Sequence, residues 1–298
     1  MYRKAYFFAL AFLLNTGVFA QQADFSLEQV TSYPFPNELS SGGENRAAWA
    51  VNASGLRNIY VAEGPDFEAR QLTDYSMDDG QELSSLALSP DGNWVVYIRG
   101  GDFGSNWDDE EIVNPTSMPF PPKVQMWSIA FDGGNPIPLG EGISPSISPD
   151  SRTVAFVRDG QLWHIPIDGS GEAQQLFSAR GRNGSPSWSP DGSMLAFRSY
   201  RDHHSYIGIY RDENTPIQWI DPSFHFDSNP AWSPDGSALA FIREPIRLGK
   251  PDSMLAAIPD PWSVMKADVN SGEVEEMWQS PNTMRGSVPT TQGRFNLN

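Results

Sequence analysis

Four consecutive carboxylates beside an indole, Trp107-Asp108-Asp109-Glu110-Glu111, are a combination that can do chemistry. Such a group grips a cation, for example a peptide amino terminus, through charge and through the ring face. The plain competing reading is a solvated acidic loop. Asp202-His203-His204 carries imidazoles of the kind that ligate metals, but neighbours on an extended chain point opposite ways and do not easily reach one ion. No metal or other cofactor is expected. Arg99, Arg158, Arg198 and Arg243 recur at the ends of similar apolar segments. With the acidic stretch they make up the candidate substrate-binding residues.

Catalytic chemistry is harder to find. The chain has no cysteine, which removes disulfides, thiolate metal sites and cysteine nucleophiles together. A nucleophile elbow of the form Gly-x-Ser-x-Gly is also missing. Gly100 and Gly104 alone flank a three-residue gap, and its central residue is Asp102. No peptide or ester hydrolysis is expected from this chain.

The elements that would position these residues come from a repeat. Ser89-Pro90-Asp91-Gly92, Ser148-Pro149-Asp150-Ser151, Ser189-Pro190-Asp191-Gly192 and Ser233-Pro234-Asp235-Gly236 each lie between apolar stretches. Proline sets φ for a type I turn, aspartate bonds the local backbone, and glycine accepts positive φ. Each turn leads into a strand-like segment: Trp94 to Arg99, Thr153 to Arg158, Met194 to Arg198 and Ala238 to Arg243. The aspartates are 59, 41 and 44 residues apart, and an insertion between Gly101 and Lys123 accounts for the longest interval. A period near 42 with four strands per unit is that of propeller blades. The turn aspartates then fall on different blades and are structural, and Trp188 and Trp232 fill gaps between sheets.

Degenerate turns at Ser40-Ser41-Gly42-Gly43 and Thr290-Thr291-Gln292-Gly293 extend the array. The fold class is therefore all-β: a β-propeller of about five complete four-stranded blades plus a truncated sixth, beginning at Arg294-Phe295-Asn296-Leu297, and so an incomplete ring. Such an open arc leaves apolar sheet faces and strand edges that favour association. Both Gly101 to Lys123 and Glu244 to Pro261 follow the second strand of a blade. They and the four arginines are expected on one face, opposite the turns.

Residues 1–20 read as a secretory signal: Arg3 and Lys4, an apolar run from Ala5 to Leu14, and Val18-Phe19-Ala20 before the cleavage point. Residues 21–298 form the partial propeller domain, periplasmic or secreted. The net charge of −17 becomes about −19 once the two basic residues leave. That charge disfavours nucleic acid and anionic membranes as partners.

Trp188-Ser189-Pro190-Asp191-Gly192 followed by Leu195-Ala196-Phe197 resembles the WD-like repeats of two exported groups, the Tol-system periplasmic propeller and the propeller domain of prolyl-oligopeptidase and dipeptidyl-peptidase IV serine peptidases. Arg57 to Ala62, Asp78 to Leu83, Tyr97 to Asp102 and Ala179 to Pro186 are similar to the peptidase group. That resemblance implies a non-catalytic propeller portion that gates or orients peptides, whose partners are a peptide substrate and a hydrolase domain absent from this chain. It also implies that propeller glutamates hold the peptide amino terminus, although residues 107–111 do not match that family's double-glutamate helix closely. The competing readings are a free-standing envelope propeller that binds protein partners, and a remnant with no activity of its own.

Overall fold

The computed structural model describes residues 26–101, 117–120, 122–246, 259 and 261–287. The chain divides into two compact units, Met1–Tyr33 and Pro34–Asn298. In the first, helix α1 (Leu27–Thr31) starts at a capping box: Ser26 Oγ accepts from the Gln29 amide at 3.1 Å, and Gln29 Oε1 accepts from the Ser26 amide at 2.8 Å.

The second unit contains five antiparallel four-stranded blades in chain order, the last two joined into one eight-stranded sheet by a single parallel bridge between Ser205 and Phe226. Blade 1 is β1 (Phe35–Gly42), β2 (Arg46–Ala53), β3 (Leu56–Glu63) and β4 (Arg70–Gln71). Blade 2 is β5 (Leu83–Leu88), β6 (Trp94–Arg99), β7 (Gln125–Ala130) and β8 (Ile137–Glu141). Blade 3 is β9 (Ile143–Ile147), β10 (Thr153–Arg158), β11 (Gln161–Pro166) and β12 (Gln174–Gln175). Blade 4 is β13 (Arg182–Trp188), β14 (Leu195–Arg201), β15 (His204–Tyr210) and β16 (Gln218–Ile220). Blade 5 is β17 (Phe226–Trp232), β18 (Ala238–Glu244), β19 (Ser263–Asp268) and β20 (Val274–Gln279), and helix α2 (Met284–Ser287) follows. The nearly all-β expectation holds. Among the described residues no strand of blade 5 bonds to a strand of blade 1. Residues 1–20, the sixth-blade strand 294–297 and its turn 290–293 lie outside the described residues.

The repeated turn joins first to second strand and closes the same way four times. The serine hydroxyl donates to the aspartate at 2.6, 2.6, 2.6 and 2.7 Å, and the aspartate accepts the amide two residues on at 3.0 to 3.1 Å. These bonds, the serine's first, hold the Asp191 and Asp235 carboxyls down at about 2. Gly92, Gly192 and Gly236 take φ between +71° and +75°. Ser151 stands in the glycine position of its turn at φ +60°, and its hydroxyl accepts the Asp91 amide of the previous blade at 3.0 Å.

Blade 1 corrects the sequence reading. Strand β1 runs through Ser40 to Gly42, and the turn is 43–45, with Gly43 and Asn45 at φ +60° and +63°. Ser40 is spent on an interblade bond instead, its hydroxyl accepting the Leu88 amide at 3.0 Å.

Neighbouring turns touch. The Gly43 amide donates to Pro90 O at 2.8 Å, and a methyl group at Gly192 or Gly236 would stand 3.6 Å from the Cδ of Pro149 or Pro190. All five turns therefore line one face. The second-to-third connections leave from the opposite ends of β2, β6, β10, β14 and β18, so both long insertions start and finish on the other face.

Four apolar clusters fill the four junctions between consecutive blades. Tyr97, Phe156, Phe197 and Phe241 occupy the same slot of their second strands and are fully buried. Each contributes roughly 1.5–3 kcal/mol by burial. The indole N–H groups of Trp188 and Trp232 donate to Ser146 O at 3.2 Å and Ser187 O at 2.9 Å on the preceding blade. The tryptophans fill the gaps and also pin the blades together.

Candidate functional site

Counting from the turn aspartates, Arg99, Arg158 and Arg243 fall eight residues on, whereas Arg198 falls seven. Arg198 thus sits in the slot filled elsewhere by Ile98, Val157 and Ile242, which are 1%, 8% and 2% exposed. Its blade places the buried Ser199 where the others have arginine. The four arginines are not equivalent, and their surroundings divide them further.

Two of them are latches. Arg243 grips the wholly buried Asp227 in a bidentate pair, Nε to Oδ1 and Nη2 to Oδ2 both at 2.8 Å, and reaches Asp221 at 2.8 Å. Burial pushes the Asp227 carboxyl up and the guanidinium opposes that shift, while the Asp227 hydrogen bonds raise Arg243. Arg99 bonds to Asp79 and lies 4.3 Å over the Tyr75 ring. Tyr75 and the buried Tyr97 share a hydroxyl bond of 2.8 Å. Arg57, which the sequence reading used only for resemblance, pairs with Glu82 at 3.0 Å and Asp78 at 3.2 Å.

The other two border a cavity of about 560 Å³ between blades 3 and 4, at the face of the second-to-third connections. Arg158 lies 3.6 Å over the Trp163 ring, which fixes its guanidinium without neutralising it. The cavity wall also holds Arg182 and Tyr200, which pair directly across β13 and β14, two positions from the Gly184 and Arg198 pair. Among the described residues no carboxylate forms an ion pair with Arg158, Arg182 or Arg198. Burial, then the neighbouring charge of Arg182, lower Arg198, while Tyr200 and Glu244 offset part of that. Arg198 is half-buried and borders the cavity from a slot in which the other blades bury aliphatic side chains. Asp159, in the β10–β11 hairpin turn, and Glu141 line the same cavity, and Glu141 is bonded to Lys123.

Sequence reasoning missed Arg182 and Tyr200. Arg182 lies within the 179–186 stretch that is similar to the peptidase propellers, but only the strand register brings it beside Tyr200. The acidic candidates Trp107, Asp108, Asp109, Glu110 and Glu111 lie outside the described residues. Asp202 and His203 form the β14–β15 turn, and His204 packs on Tyr206 and Phe224 with ring centroids 4.8 and 5.7 Å away. Among the described residues no cluster of three histidine or acidic side chains is arranged to hold a metal ion, and no helix is long and apolar enough to cross a membrane.

The profile of the TolB beta propeller domain matches residues 124–257. No curated protein matches the chain. Among solved structures, a putative TolB from Agrobacterium tumefaciens is 20% identical, with 84% of this chain and 87% of that one covered and a TM-score of 0.50. The β-propeller domain of the trilobed protease from Pyrococcus furiosus is 13% identical over 82% of this chain and 72% of that one, TM-score 0.52. Prolyl oligopeptidase B from Galerina marginata is 12% identical over 83% of this chain, which spans only 37% of the enzyme, TM-score 0.54. At such identities the likeness is one of fold: a β-propeller, shared by TolB proteins and by peptidase propeller domains.

Proposed function

We propose that the chain is the non-catalytic propeller portion of an exported prolyl-oligopeptidase-type serine peptidase, and that it gates or orients peptides on the face opposite the repeated turns. The observation that carries this reading is the asymmetry of the two faces. One consists of five short turns tied to each other. The other receives both long connections and the arginine-lined cavity. In this reading residues 1–20 are the export signal, and residues 21–298 work outside the cytoplasm beside a hydrolase domain encoded further on.

A second reading, a free-standing envelope propeller that binds protein partners, is favoured by the TolB profile and by the 87% coverage of the Agrobacterium protein. The reading frame after codon 298 separates the two. A frame encoding Gly-x-Ser-x-Gly followed by an aspartate and a histidine is expected. A stop codon with no such frame nearby would replace the peptidase reading with the envelope one. The purified chain is expected to leave peptide anilides and esters unhydrolysed in either case.

A further inference from the structure

We propose that Arg158, Arg182 and Arg198, with the Tyr200 hydroxyl, form a binding site for the carboxylate of a short peptide, its C-terminal group in the simplest case. The inference rests on the peptide-orienting reading for its ligand class, while the cavity is lined by residues of this chain alone.

Three observations carry it. The cavity, about 560 Å³, has room for several residues of an extended ligand. Its arginines are presented rather than consumed: Arg158 is braced by the Trp163 ring, and Arg182 and Arg198 project from paired strands, in register with Tyr200 and Gly184 respectively. The latches at Arg99 and Arg243 show what this fold does with an arginine it uses internally, and none of the three has such a partner among the described residues.

The charge balance selects the ligand. Glu141 is answered by Lys123. Asp159 on the wall and Glu244 near Arg198 oppose three guanidiniums, which leaves a surplus of one positive charge in a protein whose net charge is −17. One carboxylate matches that surplus. A guanidinium fork suits its two oxygens, and Asp159 is placed to accept a peptide N–H. A phosphate dianion would exceed that surplus by one charge.

The test titrates the purified full-length chain by calorimetry with N-acetyl-trialanine as the free acid, with its C-terminal amide, and with inorganic phosphate. The acid should bind about tenfold or more tightly than the amide, and weaken as salt rises. R182Q, at an exposed position, and R158Q should each lose about tenfold in affinity for the acid while keeping the wild-type unfolding curve. R198M should lose acid binding without losing stability. Equal affinity for acid and amide overturns the proposal, and so does wild-type affinity in the R182Q and R158Q variants. Tighter binding of phosphate than of the acid overturns it in favour of a phosphate-bearing ligand. Carboxylate binding that survives in a chain whose gene encodes no hydrolase domain would uphold this site while refuting the peptidase reading.

Discussion

Arg243 and Arg198 lie in the second strands of consecutive blades, one residue out of step with each other, and the fold treats them in opposite ways. Arg243 meets a fully buried aspartate and a second one at the rim. Arg198 replaces a buried aliphatic residue and meets another arginine across the sheet edge. An arginine of the first kind is part of the architecture, and one of the second kind borders a cavity with no ion-pair partner among the described residues. The lesson extends to the other pair: Arg99 is consumed by Asp79 and Tyr75, and Arg158 is braced by an indole and left charged.

The largest effect expected from this contrast comes from Arg243→Met. Removing one partner strands the buried Asp227, which costs about 3–5 kcal/mol. In a domain of this size that lowers Tm by roughly 10 °C, readable by thermal unfolding. A loss below about 1 kcal/mol would erase the distinction between latch and cavity arginines. Arg198→Ile, which restores the residue type of Ile98 and Ile242, should instead be neutral or stabilise by roughly 1–2 kcal/mol in chemical denaturation; strong destabilisation would show that Arg198 is structural after all.

Tyr97→Phe should cost about 1 kcal/mol, because Tyr75 loses its hydroxyl partner beside the Arg99 latch. The same denaturation experiment checks it, and an unchanged midpoint would remove Tyr75 and Tyr97 from the latch.

The smallest effect is a pH dependence of the turn face. Asp191 and Asp235 titrate at about 2 when folded, against an ordinary value of 3.8. Folded values below the unfolded ones mean that this contribution is complete above about pH 4 and is lost as pH falls through about 2. Ser189→Ala should shallow that acid loss at its own turn, because the hydroxyl bond is the leading cause of the shift. An acid-unfolding profile identical to wild type would show that the serine does not hold the carboxylate down.

Much of the fold was legible because its determinants are local. The Ser-Pro-Asp-Gly turn needs only residues within five positions of each other to close, so four copies announce four strand pairs and a blade period. Blade 1 was read less well, since Ser40 and Gly42 answer to blade 2 rather than to their own turn: a Cβ at Gly42 would stand 2.3 Å from Ser89 O. The site was legible only in part. Arg158 and Arg198 could be named as candidates from their recurrence, but Arg99 and Arg243 look the same in sequence and serve another purpose.

By itself the sequence determined an all-β chain of repeated blades, a turn chemistry written into each tetrapeptide, and a strongly acidic net charge. Only the tertiary structure decided which arginines are satisfied. Pairing depends on what the neighbouring strand and blade bring within about 3 Å, and that is set by register. A shift of one residue turns Arg198 to the face where other blades bury isoleucine and valine, and brings it beside Arg182 and Tyr200 at the mouth of a cavity.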